Sequence, residues 1–184
     1  FSGGIDLGII KATDPDARRA SLAGIAHTLL AVWTAPIPTV AMITGHAIAG
    51  GAILSMACDY RIVADGEFKL GVNESALGMV FPTWAITVIE AAIRPECRNE
   101  VMLLGRLYDP QGAVRVGIVH EVVPVDGLEA AAARVGAEGV ALPTRAYAGN
   151  KRMLRGAAAE RAASLISEEM GAGFARQGTS RPLS

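Results

Sequence analysis

The sequence predicts an α/β fold carrying a helical C-terminal extension. Three observations predict it: short β-branched runs cluster in the first two thirds of the chain, glycine-rich turns follow them and open helices, and from Pro95 onward the pattern is mostly helical. The 184 residues are enough for one domain with a sizeable core, and 51% hydrophobic residues against 19% charged is a globular composition. The formal net charge is -1, no lysine or arginine run forms a patch, and aromatic residues make up 5% of the chain. These features argue against a nucleic-acid partner. Apolar stretches are broken by Gly, Pro or charge before reaching membrane-spanning length, so no membrane segment is expected. Cys58 and Cys97 form no CxxC pair, which fits a reducing compartment: the cytoplasm, or the mitochondrial matrix in a eukaryote. Phe1 stands inside a strand-to-loop motif, so a segment preceding it is expected.

Along the chain, Asp14-Pro15-Asp16 is an acidic N-cap followed by Pro at the first helical position. Leu22, Ile25, Leu29 and Val32 then recur at helical spacing until Ala35-Pro36 ends the helix. Thr39 to Thr44 reads as a buried strand, and a helix opens at Gly50-Gly51. Tyr60 to Ala64 and Phe68 to Leu70 read as two strands joined by the turn Asp65-Gly66. A loop with Asn73 and Glu74 leads to a helix over Thr83 to Ile93. Glu96 to Leu104 reads as one helix, Asp109-Pro110 starts another, and Ile118 to Val123 is a strand. The alanine-rich run Leu128 to Val140 is a helix, and Ala162, Leu165, Ile166, Met170 and Phe174 form an apolar stripe. The tail from Gly178 is expected to fray. This divides the chain into a core at 1–125 and a helical extension at 126–184.

Two glycine turns bear on chemistry: Phe1-Ser2-Gly3-Gly4-Ile5-Asp6, and Ala49-Gly50-Gly51 at a helix start. Glycine lets backbone approach a ligand closely, and a helix N-terminus presents unpaired N–H groups. Two such groups aimed at one point make an oxyanion hole. An isolated Gly-Gly pair before a helix is more often plain turn chemistry. A lone loop glutamate such as Glu74 is usually solvent-exposed.

The ordered set FSGGIDL, GHAIAGGAILSMACDYRIVAD, LGVNESALGMVFPTW and LLGRLYDPQGAVRVGIVHEVVP resembles the crotonase (enoyl-CoA hydratase/isomerase) superfamily from Phe1 to about Lys151. The resemblance implies a spiral of stacked ββα units, assembly as a homotrimer or hexamer through the C-terminal extension, and an acyl-CoA substrate with no separate cofactor or metal. It places oxyanion-hole amides at Ile5 and Gly50, and a catalytic carboxylate at Glu74. Hydratases of the family carry a second glutamate three residues after the oxyanion glycine. Here that position is Ile53, which cannot transfer a proton. NESALGMVFPTW looks especially like the 3,2-enoyl-CoA isomerase branch, which has an apolar residue there. Isomerisation of a 3-enoyl-CoA to the 2-enoyl-CoA is therefore expected. Hydration, thioester hydrolysis or a non-catalytic acyl-CoA-binding role are the alternatives.

Ile53, Leu77, Phe81 and Trp84 are expected to wall the acyl pocket around Glu74, and apolar burial there raises a carboxyl pKa. Gly3 and Lys151 are the candidates for CoA contact, Lys151 through phosphate. For the lysine alone, a solvated surface position is the simpler assignment. His46 reads as a hydrogen-bonded structural histidine, Asp6 and Asp59 as loop anchors, and Asn73 as a residue that could orient Glu74. His27, His120 and the cysteines match no metal-ligand spacing.

Overall fold

The computed structural model describes residues 1–6, 8 and 14–172. The helix α1 (Pro15–Thr34) is capped as the sequence requires: the Asp14 carboxylate accepts the amides of Asp16 and Ala17. Its buried face is Leu22, Ala26, Leu29, Leu30 and Trp33, while Ile25 and Val32 lie half-buried at the margins. β1 (Val40–Ile43), β2 (Ala47–Ile48) and α2 (Gly50–Ala57) follow, and then β3 (Tyr60–Ala64), β4 (Leu70–Gly71) and α3 (Thr83–Ala92). Each ββα unit thus gives one strand to each of two small sheets.

In one sheet β1, β3 and β5 (Glu121–Val123) lie parallel in the order β1-β3-β5; in the other β2 pairs parallel with β4. Successive units stack, and the chain advances as a spiral. The strands on either side of Asp65-Gly66 therefore do not pair with each other. The second begins at Leu70, joins β2 in the other sheet, and is bridged by Tyr108. Parallel neighbours with both faces covered explain why β3 reads as a continuous apolar run, with Ile62, Val63 and Ala64 fully buried.

The helix expected over Glu96 to Leu104 is instead a 3-10 turn (Pro95–Cys97) followed by a π-helical stretch (Asn99–Leu103). The 3-10 turn is tighter than an α-helical one and the π stretch wider; π turns are rare, and they occur often at functional sites. α4 (Pro110–Val116) starts at an Asp109 cap that accepts the Gly112 amide, and the strand expected from Ile118 is confined to Glu121–Val123. α5 (Leu128–Val140) packs on β1 and β3. α6 (Thr144–Ala172) begins well before the expected apolar stripe, and its Ala162, Ile166 and Met170 enter the same core as Leu22 and Trp33. The expectations for Phe174 and for the tail from Gly178 lie outside the described residues. No described helix is long and apolar enough to cross a membrane.

Candidate active site

The two glycine turns meet. The Ser2 amide donates to the His46 carbonyl (2.9 Å) and the Ile48 amide to the Ser2 carbonyl (3.0 Å), which lashes the first turn along β2. Gly4 has φ 101°, a left-handed conformation, and a Cβ there would stand 3.1 Å from the Gly50 nitrogen. A Cβ at Gly50 would stand 3.6 Å from the Ile5 nitrogen, and one at Gly51 would fall 2.2 Å from the Ser2 carbonyl oxygen. Gly4 and Gly51 are thus needed for backbone to pass backbone, whereas a Cβ at Gly50 would meet only ordinary contacts.

Gly50 is the first residue of α2, so its amide has no intrahelical acceptor. The Ile5 amide likewise has no acceptor among the described residues. Ala49, which caps α2, is held at φ 51°, the only non-glycine with positive φ among the described residues. That strain turns the chain from β2 into α2.

Gly3, by contrast, is exposed and has nothing within 4 Å of an added Cβ, so the close approach belongs to Gly4 and not to its neighbour. His46 is structural as expected, its Nδ1 accepting the Lys69 amide at 2.9 Å, and Asp6 anchors its turn by accepting the Gly8 amide at 2.7 Å.

Glu74 lies past β4, immediately before a 3-10 turn (Ser75–Leu77) whose glycine cap, Gly78, has φ 72°. Its carbonyl accepts the amides of Leu77 and Met79, and Ser75 Oγ donates to the Met102 carbonyl at 2.7 Å, tying the loop to the π-helical stretch. The glutamate is 7% exposed, and its Oε2 has no hydrogen-bond partner. Burial pushes the carboxyl pKa up.

It opens onto a small cavity of about 40 Å³ that also touches Ile5 and Gly50. Ile53, Phe81 and Trp84 wall this cavity, and Leu22 from α1 and Met170 from α6 complete it. A larger cavity of about 520 Å³ lies on the other side of the same two residues, bounded by Ser21, Gly24, Ile25 and Thr28 of α1. Ile5 and Gly50 therefore stand at the junction of two spaces, with the carboxylate in the smaller one.

Three expectations need correcting. Leu77 is 61% exposed and does not line the cavity: the left-handed turn at Gly78 leaves it outside, and Met79 takes the inward place. Lys151 is neither solvated nor free for a phosphate. Its ammonium is buried, donating to Asp59 at 2.8 Å and to the Ile37 carbonyl at 3.1 Å. Asn73 makes no hydrogen bond to Glu74, and its Oδ1 is buried without a partner.

Asp59 anchors far more than a loop. It accepts from the Thr39 amide and hydroxyl, the Tyr147 hydroxyl, Lys151 and Arg155. Burial would raise its pKa, but the hydrogen bonds from Lys151, Tyr147 and Thr39 outweigh burial and hold it below the ordinary value. Sequence reasoning also missed Glu169, whose carboxylate accepts the Thr83 amide and hydroxyl and so caps α3 from the far end of α6. The sequence signals a helix over Thr83 to Ile93 but names no partner 86 residues away. Among the described residues no group of three His, Cys, Asp or Glu is placed to hold a metal ion.

The family model for enoyl-CoA hydratase/isomerase matches residues 1–171. The chain is 33% identical over 161 residues to mouse mitochondrial enoyl-CoA delta isomerase 1, covering 87% of this chain and 56% of that protein. It is also 33% identical over 130 residues to a putative enoyl-CoA hydratase of Thermus thermophilus, covering 67% of this chain and 49% of the relative. The crystal structure of human mitochondrial delta3-delta2-enoyl-CoA isomerase superposes with a TM-score of 0.90 at 29% identity, over 97% of this chain and 70% of that one. The chain spans about half the length of the curated relatives it matches.

Proposed function

The chain belongs to the enoyl-CoA hydratase/isomerase family of the crotonase superfamily, and we propose that within it the protein moves the double bond of a 3-enoyl-CoA to the 2-position. The observation that carries this reading is a single carboxylate in the cavity that touches both glycine turns: Glu74 is the one acidic residue lining it, and Ile53 stands where a second would be needed for hydration. The nearby acids Asp6 and Glu169 are each committed to backbone donors.

In this mechanism the thioester oxygen accepts the amides of Ile5 and Gly50. Glu74 removes a proton from C2; the C–H electron pair forms a C1–C2 double bond and the carbonyl π pair moves onto the thioester oxygen, leaving a dienolate conjugated with C3=C4. The protonated carboxyl then delivers the same proton to C4, and the enzyme returns to its starting state with the double bond conjugated. Each oxyanion donor is worth about 3 kcal/mol in the transition state. Burial helps because a carboxylate with a raised pKa is a stronger base toward carbon. Assembly into a homotrimer or hexamer belongs to the same proposal.

Glu74→Gln is expected to slow conversion of 3-enoyl-CoA by roughly 10³-fold while leaving the circular dichroism spectrum unchanged. Turnover by this variant at the wild-type rate would remove the proposal. The similarity to a putative hydratase favours a second reading, addition of water to 2-enoyl-CoA; production of 3-hydroxyacyl-CoA faster than isomerisation would select it.

A further inference from the structure

The two spaces that meet at Ile5 and Gly50 have volumes of about 520 Å³ and about 40 Å³, and Glu74 lines only the smaller. The carbonyl carbon of an acyl thioester carries sulfur on one side and C2 on the other. With its oxygen on the two amides, C2 has to turn toward Glu74, so the sulfur and the CoA arm take the larger space. The acyl tail is then confined to the smaller one. Its inner walls are Leu22, Ile53, Trp84, Ala85 and Met170, each 5% exposed or less. Met170 is held in place by its neighbour. The Glu169 carboxylate accepts the Thr83 amide (3.1 and 3.0 Å to its two oxygens) and the Thr83 hydroxyl, which pins this turn of α6 onto the start of α3.

We infer that the protein selects short 3-enoyl-CoA thioesters, and that Met170 and Leu22 are the residues that stop the acyl chain. This rests on the proposed isomerase reading and names its substrate class. An apolar cavity of about 150 Å³ holds the six carbons of benzene, roughly 25 Å³ for each. Even if C2 to C4 stay at the junction beside Ile5 and Gly50, a cavity of about 40 Å³ leaves room for about two carbons beyond C4. The preferred acyl group therefore has about six carbons or fewer. A longer tail must displace a wall, and Leu22 and Met170 belong to the main hydrophobic core, where close packing resists displacement. The outer side of the cavity is no substitute: Val80, which lines it, is 81% exposed, so a tail leaving there would lie largely in water. Ile53 belongs to α2 and Trp84 and Ala85 to α3, whereas Leu22 and Met170 come from α1 and α6. These two can thus set the depth of the cavity without altering the groups that hold the thioester.

The test compares kcat/KM for 3-hexenoyl-CoA and 3-decenoyl-CoA on the wild-type chain, on Met170→Ala and on the milder Leu22→Val, which keeps a readout should the first variant fail to fold. A site open at its end would favour the longer substrate by roughly fourfold for every methylene it buries. The closed cavity is expected to reverse this order: in the wild type kcat/KM for 3-decenoyl-CoA falls roughly tenfold or more below that for 3-hexenoyl-CoA. In each variant that melts cooperatively the ratio shifts toward the longer substrate, by roughly tenfold in Met170→Ala and less in Leu22→Val. Equal kcat/KM for the two substrates in the wild type, or a higher value for 3-decenoyl-CoA, would overturn the inference and leave the isomerase reading standing. So would a preference for 3-hexenoyl-CoA that the folded variants keep unchanged, because the stop would then lie elsewhere. Absence of turnover of 3-hexenoyl-CoA would remove the isomerase reading and this inference with it.

Discussion

Glu74 shows how a single side chain can be made useful at a cost to stability. The loop that carries it is closed by its own carbonyl, which accepts two amides, and by the left-handed Gly78, so the carboxyl is carried inward while Leu77 is left outside. Ionised and without a partner for Oε2, the group opposes folding. Because burial raises its pKa in the folded state, the folded chain keeps a proton that the unfolded chain has already lost. Stability therefore falls as pH rises from the ordinary glutamate value through the raised one. Glu74→Gln is accordingly expected to melt at a higher temperature than the wild type at about pH 7.5, with the gain shrinking as pH is lowered toward about 4, where the unfolded carboxyl also protonates. The same shift places the acid limb of kcat/KM above the ordinary glutamate range. Differential scanning calorimetry across pH and a pH–rate profile read the two effects separately. A lower melting temperature for Glu74→Gln at neutral pH would contradict the burial described here.

At the scale of elements, the long helix α6 is held at both ends by charge. Near its start, Tyr147, Lys151 and Arg155 converge on Asp59 between α2 and β3; near its end, Glu169 caps α3 and brings Met170 into the Glu74 cavity. Lys151 and Asp59 are 5% and 18% exposed at the side chain, so removing the lysine leaves a desolvated carboxylate with Arg155 as its remaining cation. Lys151→Ala is expected to destabilise the chain by roughly 3 kcal/mol in urea denaturation at neutral pH. The Asp59 pKa is lowered on folding, so its contribution is complete above the ordinary aspartate value and is lost as pH falls through the lowered one. The penalty of Lys151→Ala should diminish over that acidic window, and a penalty independent of pH would show that lysine packing, not its charge, is what matters.

At the scale of the whole molecule, apolar surface stands uncovered on the C-terminal extension, at Val140, Met153 and Leu154, and also next to the Glu74 loop. Leu77 and Val80 are 61% and 81% exposed, and Leu103 and Leu104 are 66% and 59% exposed. The two segments are neighbours: a Cβ on Gly105 would stand 3.1 Å from that of Ala76. Exposed patches of this kind mark association surfaces. Sedimentation velocity is expected to give the mass of three chains or a multiple of three, and Leu103→Glu with Leu104→Glu to shift it to one chain without loss of helical signal. A wild-type chain sedimenting as a monomer at micromolar concentration would count against assembly through this face.

The sequence by itself determined the capped start of α1, the strand runs of β1 and β3, the helix start at Gly50 and the positions of the two glycine turns. These are local matters, in which residue type dictates backbone conformation or burial within a few positions. Ordered motifs over most of the chain also sufficed to indicate the family. Only the tertiary structure decided that the strands around Asp65-Gly66 part into two sheets, that residues 96–104 form 3-10 and π turns, and that Lys151 closes on Asp59. It also decided that Leu22 and Met170, some 150 positions apart, wall the same cavity as Glu74. Hydrogen-bond and packing partners drawn from distant turns of a spiral leave no periodic trace in either partner's neighbourhood, because the energy that selects them appears only when the turns stack.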